Sequence, residues 1–132
     1  MKKIFLITIL CLGMHQLLMA QNNTPSMAEA IKAGVKTTMA RADLTRTFMQ
    51  PVGITDAQKP TVNKLILDYM EAKRALALAN RNNTAAYQSQ QTTLFNTFRD
   101  NLANILSKEQ MTRFLASKPA PDEISFLNAL FY

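Results

Sequence analysis

Two long runs of apolar residues at helical spacing, separated by one short polar turn, constrain the fold of this chain more than any other feature. Each run lies on one face of a predicted helix. The first helix should either kink at Pro60 or begin there, and extend to about Asn80, and Thr84 is expected to cap the second. The two faces consist of Val62, Leu65, Ile66, Tyr69 and Leu76, and of Tyr87, Leu94, Phe95, Phe98, Leu102, Ile105 and Leu106. Because the turn between them is short, these helices should pack as a long antiparallel helical hairpin.

Capping signals predict further helices on both sides of the hairpin. Ser26 and Glu29 form a capping box that should start an N-terminal helix, which is expected to continue until Pro51 and Gly53 end it. A short fourth helix should follow Ser107. No segment shows the sustained apolar–polar alternation of a strand, so the sequence predicts an all-α fold.

The predicted N-terminal helix carries apolar residues on two sides. Ile31 and Val35 share one side, whereas Leu44 and Phe48 fall on another. One hairpin cannot bury all of the apolar faces in this sequence. The N-terminal helix, the fourth helix or a second copy of the chain in a dimer must therefore cover the rest.

The first residues have the order of features that is typical of a secretory signal. A basic start is followed by a continuous apolar run over residues 4–12 and by a small residue at Ala20. We expect residues 1–20 to be a cleaved signal peptide and residues 21–25 to be a flexible leader. The alternative is a membrane anchor, but the run is about half of the roughly 20 residues that a spanning helix needs. No membrane span is expected after cleavage.

Signal cleavage would remove the most reactive side chains of the chain. Cys11 and His15 are its only cysteine and histidine. Without them the mature protein has no thiolate, no imidazole base and none of the soft or nitrogen ligands that zinc and copper sites usually require. The nearest acidic pair, Asp68 and Glu71, would be neighbours on one solvated helix surface. The sequence therefore predicts neither an enzyme nor a bound cofactor or metal.

The charge balance favours proteins or an anionic surface as partners. Of fifteen Lys and Arg residues, thirteen remain after loss of Lys2 and Lys3, against nine acidic residues, which gives a net charge of +4. Such a mildly basic protein suits acidic protein segments or an anionic membrane surface. Nucleic acid is not an expected partner, because the chain is predicted to be exported and its basic residues are scattered singly.

A five-residue pattern occurs twice, once on each side of the predicted hairpin. Ile54-Thr55-Asp56-Ala57-Gln58 and Leu106-Ser107-Lys108-Glu109-Gln110 each combine an apolar residue with a capping box. With the export signal and the long helices between them, they resemble the LTxxQ motifs of the Spy/CpxP-like periplasmic proteins. The first copy has Ile in place of Leu, and the second has Ser in place of Thr.

This resemblance covers residues 26–118 and implies a helical protein, often a cradle-shaped dimer. Some members of the family are ATP-independent chaperones, one restrains an envelope-stress sensor kinase, and related branches bind heavy metals. The motif residues that carry over are Thr55, Gln58, Ser107 and Gln110, and their predicted role is helix capping. Residues 119–132 form an apolar C-terminal tail outside the resemblance, so the family's surface is not carried over directly.

The second predicted helix has an additional apolar and basic side. Leu67, Met70, Arg74 and Leu78 lie on this side, which we call the second face, and Arg81 follows them in the turn. A helix packed on one side only should be polar here. Two interpretations remain open: a surface that binds other proteins, or burial against the N-terminal helix or a dimer partner.

Lys73 lies near the middle of the core-facing side of the same helix. Either its amine is desolvated and has a lowered pKa, or its stem follows the apolar surface and its charged end reaches water.

The sequence thus favours a periplasmic chaperone-like or envelope-stress adaptor protein that binds partly unfolded proteins or an envelope partner without ATP. One alternative is an accessory regulator of one specific envelope sensor or assembly protein. Another is a metal-responsive envelope protein, which the loss of His and Cys disfavours.

Overall fold

The computed structural model describes residues 26–132, and in that part of the chain every regular element is a helix. The elements are α1 Met27–Arg41, a π-helical segment Thr45–Met49, α2 Gln50–Val52, α3 Lys59–Ala79, α4 Thr84–Ala103, α5 Lys108–Ala116 and α6 Phe126–Phe131. The predicted all-α class is confirmed for the described residues. The predicted signal peptide, residues 1–20, and leader, residues 21–25, lie outside them.

Helix α1 begins with the predicted capping box. The Ser26 hydroxyl accepts a hydrogen bond from the Glu29 N–H at 3.2 Å, and the Glu29 carboxylate accepts one from the Ser26 N–H at 2.8 Å. These bonds satisfy two backbone donors that a helix start otherwise leaves unpaired.

The prediction of one continuous helix up to Pro51 is wrong, because the chain leaves the helix at Ala42 and Asp43. Asp43 has a φ of 43°. Its carboxylate accepts from the Arg46 N–H at 3.4 Å and pairs with the Arg46 guanidinium at 3.2 Å. A short acidic side chain that bonds the backbone ahead of it starts a new segment instead of continuing the helix behind it.

This break lets two apolar sides of the same stretch reach the interior. Ile31 and Val35 are buried on α1, which packs against α3, and Phe48 and Met49 are buried in the π-helical segment, which contacts α6. One straight helix would point the two pairs in different directions. Helix α2 then ends at Gly53, whose φ of 81° places it in the left-handed region.

Helix α3 begins one residue before Pro60 and ends at Ala79, close to the predicted limits. Pro60 lies in the first turn, where its missing N–H costs no helical hydrogen bond. At the far end, the Asn80 side-chain amide and backbone N–H both donate to the Leu76 carbonyl, at 3.0 and 3.1 Å.

Helix α4 follows after a short turn and packs against α3. Asn83 caps it by accepting from the Ala86 N–H at 3.0 Å. The prediction that Thr84 is the cap is therefore wrong by one residue, because Asn83 is still outside the helical region and its short amide oxygen reaches the free N–H.

The core lies among α3, α4, α5, α6 and the π-helical segment. The Tyr69 and Phe98 rings stack with centroids 4.4 Å apart, and Phe98 meets Phe114 edge-on at 6.3 Å. The largest fully buried side chains are Phe48, Phe114, Ile66, Leu102, Leu130, Val52 and Val62.

The C-terminal segment, residues 119–132, packs back onto this core. Phe131 stacks on Phe114 with ring centroids 5.0 Å apart, and Leu130 is completely buried. The Tyr69 hydroxyl donates to the Leu130 carbonyl at 2.8 Å. Ile124, in the connection before α6, is fully exposed instead.

Candidate functional site

Both motif copies form the same local hydrogen bonds. The Thr55 hydroxyl accepts from the Gln58 N–H at 3.3 Å, and the Ser107 hydroxyl accepts from the Gln110 N–H at 3.2 Å. In return, the glutamine oxygens accept from the Thr55 and Ser107 N–H groups at 3.0 and 2.9 Å. These are the bonds expected of two capping boxes. Only the second copy caps a helix, with Ser107 at the start of α5. In the first copy the bonds close a turn, and α3 begins just after Gln58 without a side-chain cap, so the predicted helix-capping role of Thr55 is wrong.

The two glutamines also bind each other across the fold. The Gln58 Nε2 donates to the Gln110 Oε1 at 3.0 Å, and the Gln110 Nε2 donates to the Gln58 Oε1 at 2.9 Å. Each side-chain amide donates its second N–H to a backbone carbonyl near the other motif. Gln58 donates to the Ile105 carbonyl at 3.0 Å, and Gln110 donates to the Gly53 carbonyl at 2.6 Å. Each carbonyl lies two residues before the hydroxyl residue of its motif. The contacts are therefore related by an approximate two-fold symmetry.

The structure around this glutamine pair, Gln58 and Gln110, explains which residue type stands at each position of the motif. Ile54 and Leu106, the apolar first residues, are buried in the hydrophobic core, and the two residues inside each capping box are exposed. Sequence reasoning assigned the glutamines to capping alone and missed their pairing. A signal was present: glutamate would cap as well, but only glutamine has N–H groups left to donate.

The second face of α3 is partly covered. Leu67, Met70 and Leu78 are half-buried, whereas Arg74 and Arg81 are exposed. The structure brings Met70 and Arg74 together on the side that meets α1 and leaves Arg81 in the turn after α3.

Arg74 lies close against the backbone of α1. A Cβ atom added at Gly34 would come within 3.0 Å of the Arg74 Nη1 atom. The absence of a side chain at Gly34 therefore lets the guanidinium rest directly on this helix. No carboxylate of residues 26–132 forms an ion pair with Arg74.

Lys73 is desolvated. Its Nζ donates to the Ala129 carbonyl of α6 at 2.5 Å and lies 6.0 Å from the centroid of the Tyr69 ring. Burial lowers the pKa of Lys73 to about 8, because a charged amine is less stable where water is excluded.

Lys73 and Arg74 both line a cavity of about 290 Å³ that opens to solvent between α1, α3, α4 and α6. Its other lining residues are Val35, Thr38, Met70, Ala77, Tyr87 and Ala129. The walls are mostly apolar, and among the lining residues that the structure describes the two cations are the only charged groups.

Acidic and metal-ligating side chains are not gathered in the described chain. Asp68 pairs with Lys64 at 2.6 Å on the surface of α3. Glu71 is half-buried, and its Oε1 has no hydrogen-bond partner. No group of three or more His, Cys, Asp or Glu residues within 26–132 could hold a metal ion. In the same range, no helix combines the length and apolar character needed to cross a membrane.

Comparisons with protein-family models, with curated proteins and with solved structures found no match to this chain.

Proposed function

We propose that this protein is an exported periplasmic chaperone-like or envelope-stress adaptor protein, which binds partly unfolded proteins or one partner protein without ATP. The observation that carries the proposal is the second face of α3. Three large apolar side chains, Leu67, Met70 and Leu78, remain half-buried there, Arg74 is exposed on the same face, and Arg81 is exposed in the turn that follows α3.

Apolar contact and positive charge on one helix suit a partly unfolded protein segment. Apolar side chains of a client can be transferred from water onto Leu67 and Leu78. Arg74 and Arg81 can attract acidic segments and speed the encounter. Further large apolar side chains are exposed at Met27, Leu115, Ile124 and Tyr132.

The contact between the two motif copies is consistent with the same class of function, because it fixes the helix that carries the second face. The Gln58–Gln110 bonds join the start of α3 to the start of α5. In this proposal, the paired helices α3 and α4 are the antiparallel hairpin expected of a Spy/CpxP-like protein, and the second face is its binding surface. Helix α1 covers only part of that surface, the side of Met70 and Arg74, where Val35 lines the same cavity.

An aggregation assay tests this function. Residues 21–132 should suppress light scattering by several unrelated denatured clients without nucleotide, at no more than a stoichiometric amount. Leu78→Glu should weaken the protection, because it places a charge in the apolar contact. Asn96→Glu is the matched control, since it adds the same charge at an exposed position of α4. Circular dichroism melting of both variants verifies that each is folded.

Two outcomes decide between the versions of the proposal. Protection of several clients supports the chaperone version. No protection, together with capture of one specific envelope protein in a pull-down, supports the adaptor version. Neither protection nor a specific partner would refute both.

A homodimer is part of the same proposal, and the solution mass of the mature chain tests it. A stable dimer that Leu67→Glu and Leu78→Glu dissociate would place the second face at the subunit contact. A monomer would leave the part of this face that α1 does not cover available to clients.

A further inference from the structure

The cavity between α1, α3, α4 and α6 has the form of a small-molecule site. Its volume of about 290 Å³ is near the lower end of the range for ligand pockets, roughly 300–1,000 Å³. Val35, Met70 and Ala77 give it apolar walls, and the Tyr87 ring adds a flat aromatic surface. Such walls favour an apolar ligand, because its surface leaves water on entry.

The charged groups of the cavity all have the same sign. Lys73 and Arg74 contribute an ammonium and a guanidinium group, and no carboxylate lines the walls. Glu71 is the nearest acid along α3, but it forms no ion pair with either residue. All nine acidic residues of the chain lie within residues 26–132, so none is contributed from outside that range.

The Lys73 ammonium has N–H groups that can still bind a ligand. Lys73 uses one N–H on the Ala129 carbonyl, and an ammonium has three. Its pKa of about 8 leaves it mostly protonated at neutral pH, so it is a desolvated cation. A desolvated cation gains from a nearby anion, since the anion replaces part of the lost hydration.

The Arg74 guanidinium is positioned independently of Lys73. It rests over Gly34 of α1, where an added Cβ would come within 3.0 Å of its Nη1. A planar guanidinium forms paired hydrogen bonds with a carboxylate more readily than a lysine does.

We infer that this cavity binds a single-chain aliphatic carboxylate, such as a medium-chain fatty acid. The alkyl chain would lie against Val35, Met70 and Ala77, and the carboxylate would accept hydrogen bonds from Arg74 and Lys73. A diacyl lipid would exceed the cavity volume. This inference goes beyond the proposed function and does not depend on it, because it requires no client protein.

A second cavity in the same fold provides an internal comparison. It measures about 180 Å³, lies between α3 and α4, and is lined by Leu65, Asp68, Tyr69, Leu94, Thr97, Phe98 and Asn101. Its one charged lining group is the Asp68 carboxylate, which is paired with Lys64 at 2.6 Å, so the residues that line it offer an anion no cation. A fatty acid that followed apolar surface alone would enter both cavities, whereas the proposed ligand should enter the first.

In the experiment, decanoate is titrated into the purified protein, in the form that cells produce. The decanoate concentration stays below that at which micelles form. With methyl-labelled methionine, the Met70 resonance should shift and saturate, while that of exposed Met27 stays in place. Decanol and decyltrimethylammonium, with the same chain but a neutral or positive head, should bind at least about tenfold more weakly. Decyl phosphate tests whether the site prefers a carboxylate to another anion.

Two neutralising variants and one filling variant locate the site. Arg74→Gln and Lys73→Met should each weaken decanoate binding roughly tenfold and leave decanol binding unchanged. Lys108→Met, which removes a charge from an exposed position of α5, should change neither. Ala77→Leu should weaken the binding of both decanoate and decanol, because the larger side chain fills the cavity.

Several results would overturn the inference. It fails if the Met70 resonance does not shift, or if Met27 shifts in parallel as expected of general surface adsorption. It also fails if decanol binds as tightly as decanoate, or if both neutralising variants bind decanoate with unchanged affinity while remaining folded by circular dichroism.

Discussion

Gln58 and Gln110 exchange two side-chain hydrogen bonds, at 3.0 and 2.9 Å, across 52 residues of sequence. Each side chain also closes its own capping box and donates to a carbonyl beside the other motif. The pair therefore joins two local turns into one tertiary contact. Both side-chain carbonyl oxygens and all four side-chain N–H groups of the pair form hydrogen bonds. Polar groups that are removed from water are costly unless they are bonded in this way.

The first prediction concerns the coupling of this pair. Gln58→Ala and Gln110→Ala should each lower the free energy of unfolding by about 1–3 kcal/mol, because each removes the variant residue's own hydrogen bonds and takes two bonds from the other, partly buried amide. The double variant should cost clearly less than the sum, by about 0.5–3 kcal/mol. Urea unfolding of the four proteins measures this. Gln90→Ala, at an exposed position of α4, is the control and should change stability by less than about 0.5 kcal/mol. Additive losses would mean that the two amides act separately.

The second prediction compares the same change at two glycines. Gly53→Ala should destabilise the protein by about 1–2 kcal/mol, because a φ of 81° is strained for a residue with a Cβ. Gly34→Ala should instead stabilise it by about 0.5–1 kcal/mol, since alanine favours the helix and the end of the exposed Arg74 side chain can move aside. Thermal unfolding followed by circular dichroism gives both values. Equal effects at the two positions would contradict this reading of the backbone.

The third prediction concerns the C-terminal segment. Phe131→Ala should lower the free energy of unfolding by about 3 kcal/mol, because Phe131 is buried and stacks on Phe114. Ile124→Ala, in the same segment but fully exposed, should change it by less than about 0.5 kcal/mol. Chemical denaturation of both variants measures the difference. A small loss for Phe131→Ala would show that α6 contributes little to the core.

The features predicted correctly from sequence depend on neighbouring residues. Pro60 and the polar turn at Asn80–Asn83 limit α3, and the Ser26 and Ser107 boxes start α1 and α5, since proline, asparagine and serine act on the backbone within one turn. These effects are the same wherever the segment is packed.

The features that were missed depend on tertiary contact. The break at Asp43 allows Phe48 and Met49 to be buried on a different side from Val35, and helical spacing alone does not show that both sides are buried within one chain. The Gln58–Gln110 pair joins residues far apart in sequence, and either glutamine alone has the pattern of an ordinary capping residue.

At the candidate site, the sequence placed Met70 and Arg74 on one face of a helix. The cavity with Lys73 became visible only once α1, α4 and α6 were packed around them.

The fourth prediction is a pH dependence with opposite signs in two ranges. Burial lowers the pKa of Lys73 from 10.5 to about 8 and raises the pKa of Tyr69 from 10.0 to about 12. Between about pH 8 and 10 the folded state has released the Lys73 proton that the unfolded chain still binds, so stability should rise with pH. Between about pH 10 and 12 the folded state retains the Tyr69 proton that the unfolded chain loses, and stability should fall.

The size of the first effect should be on the order of 1–2 kcal/mol, because the amine keeps part of its contact with solvent. Urea midpoints measured from pH 7 to 10 test it. Lys73→Met should remove the rise and, below pH 8, make the protein more stable than the parent, since a desolvated charge is gone. Lys108→Met, at an exposed position, should keep the rise. If Lys73→Met shows the same pH profile as the parent, the amine is not desolvated, and the proposed carboxylate site loses the gain that a dehydrated Lys73 ammonium would draw from a bound anion.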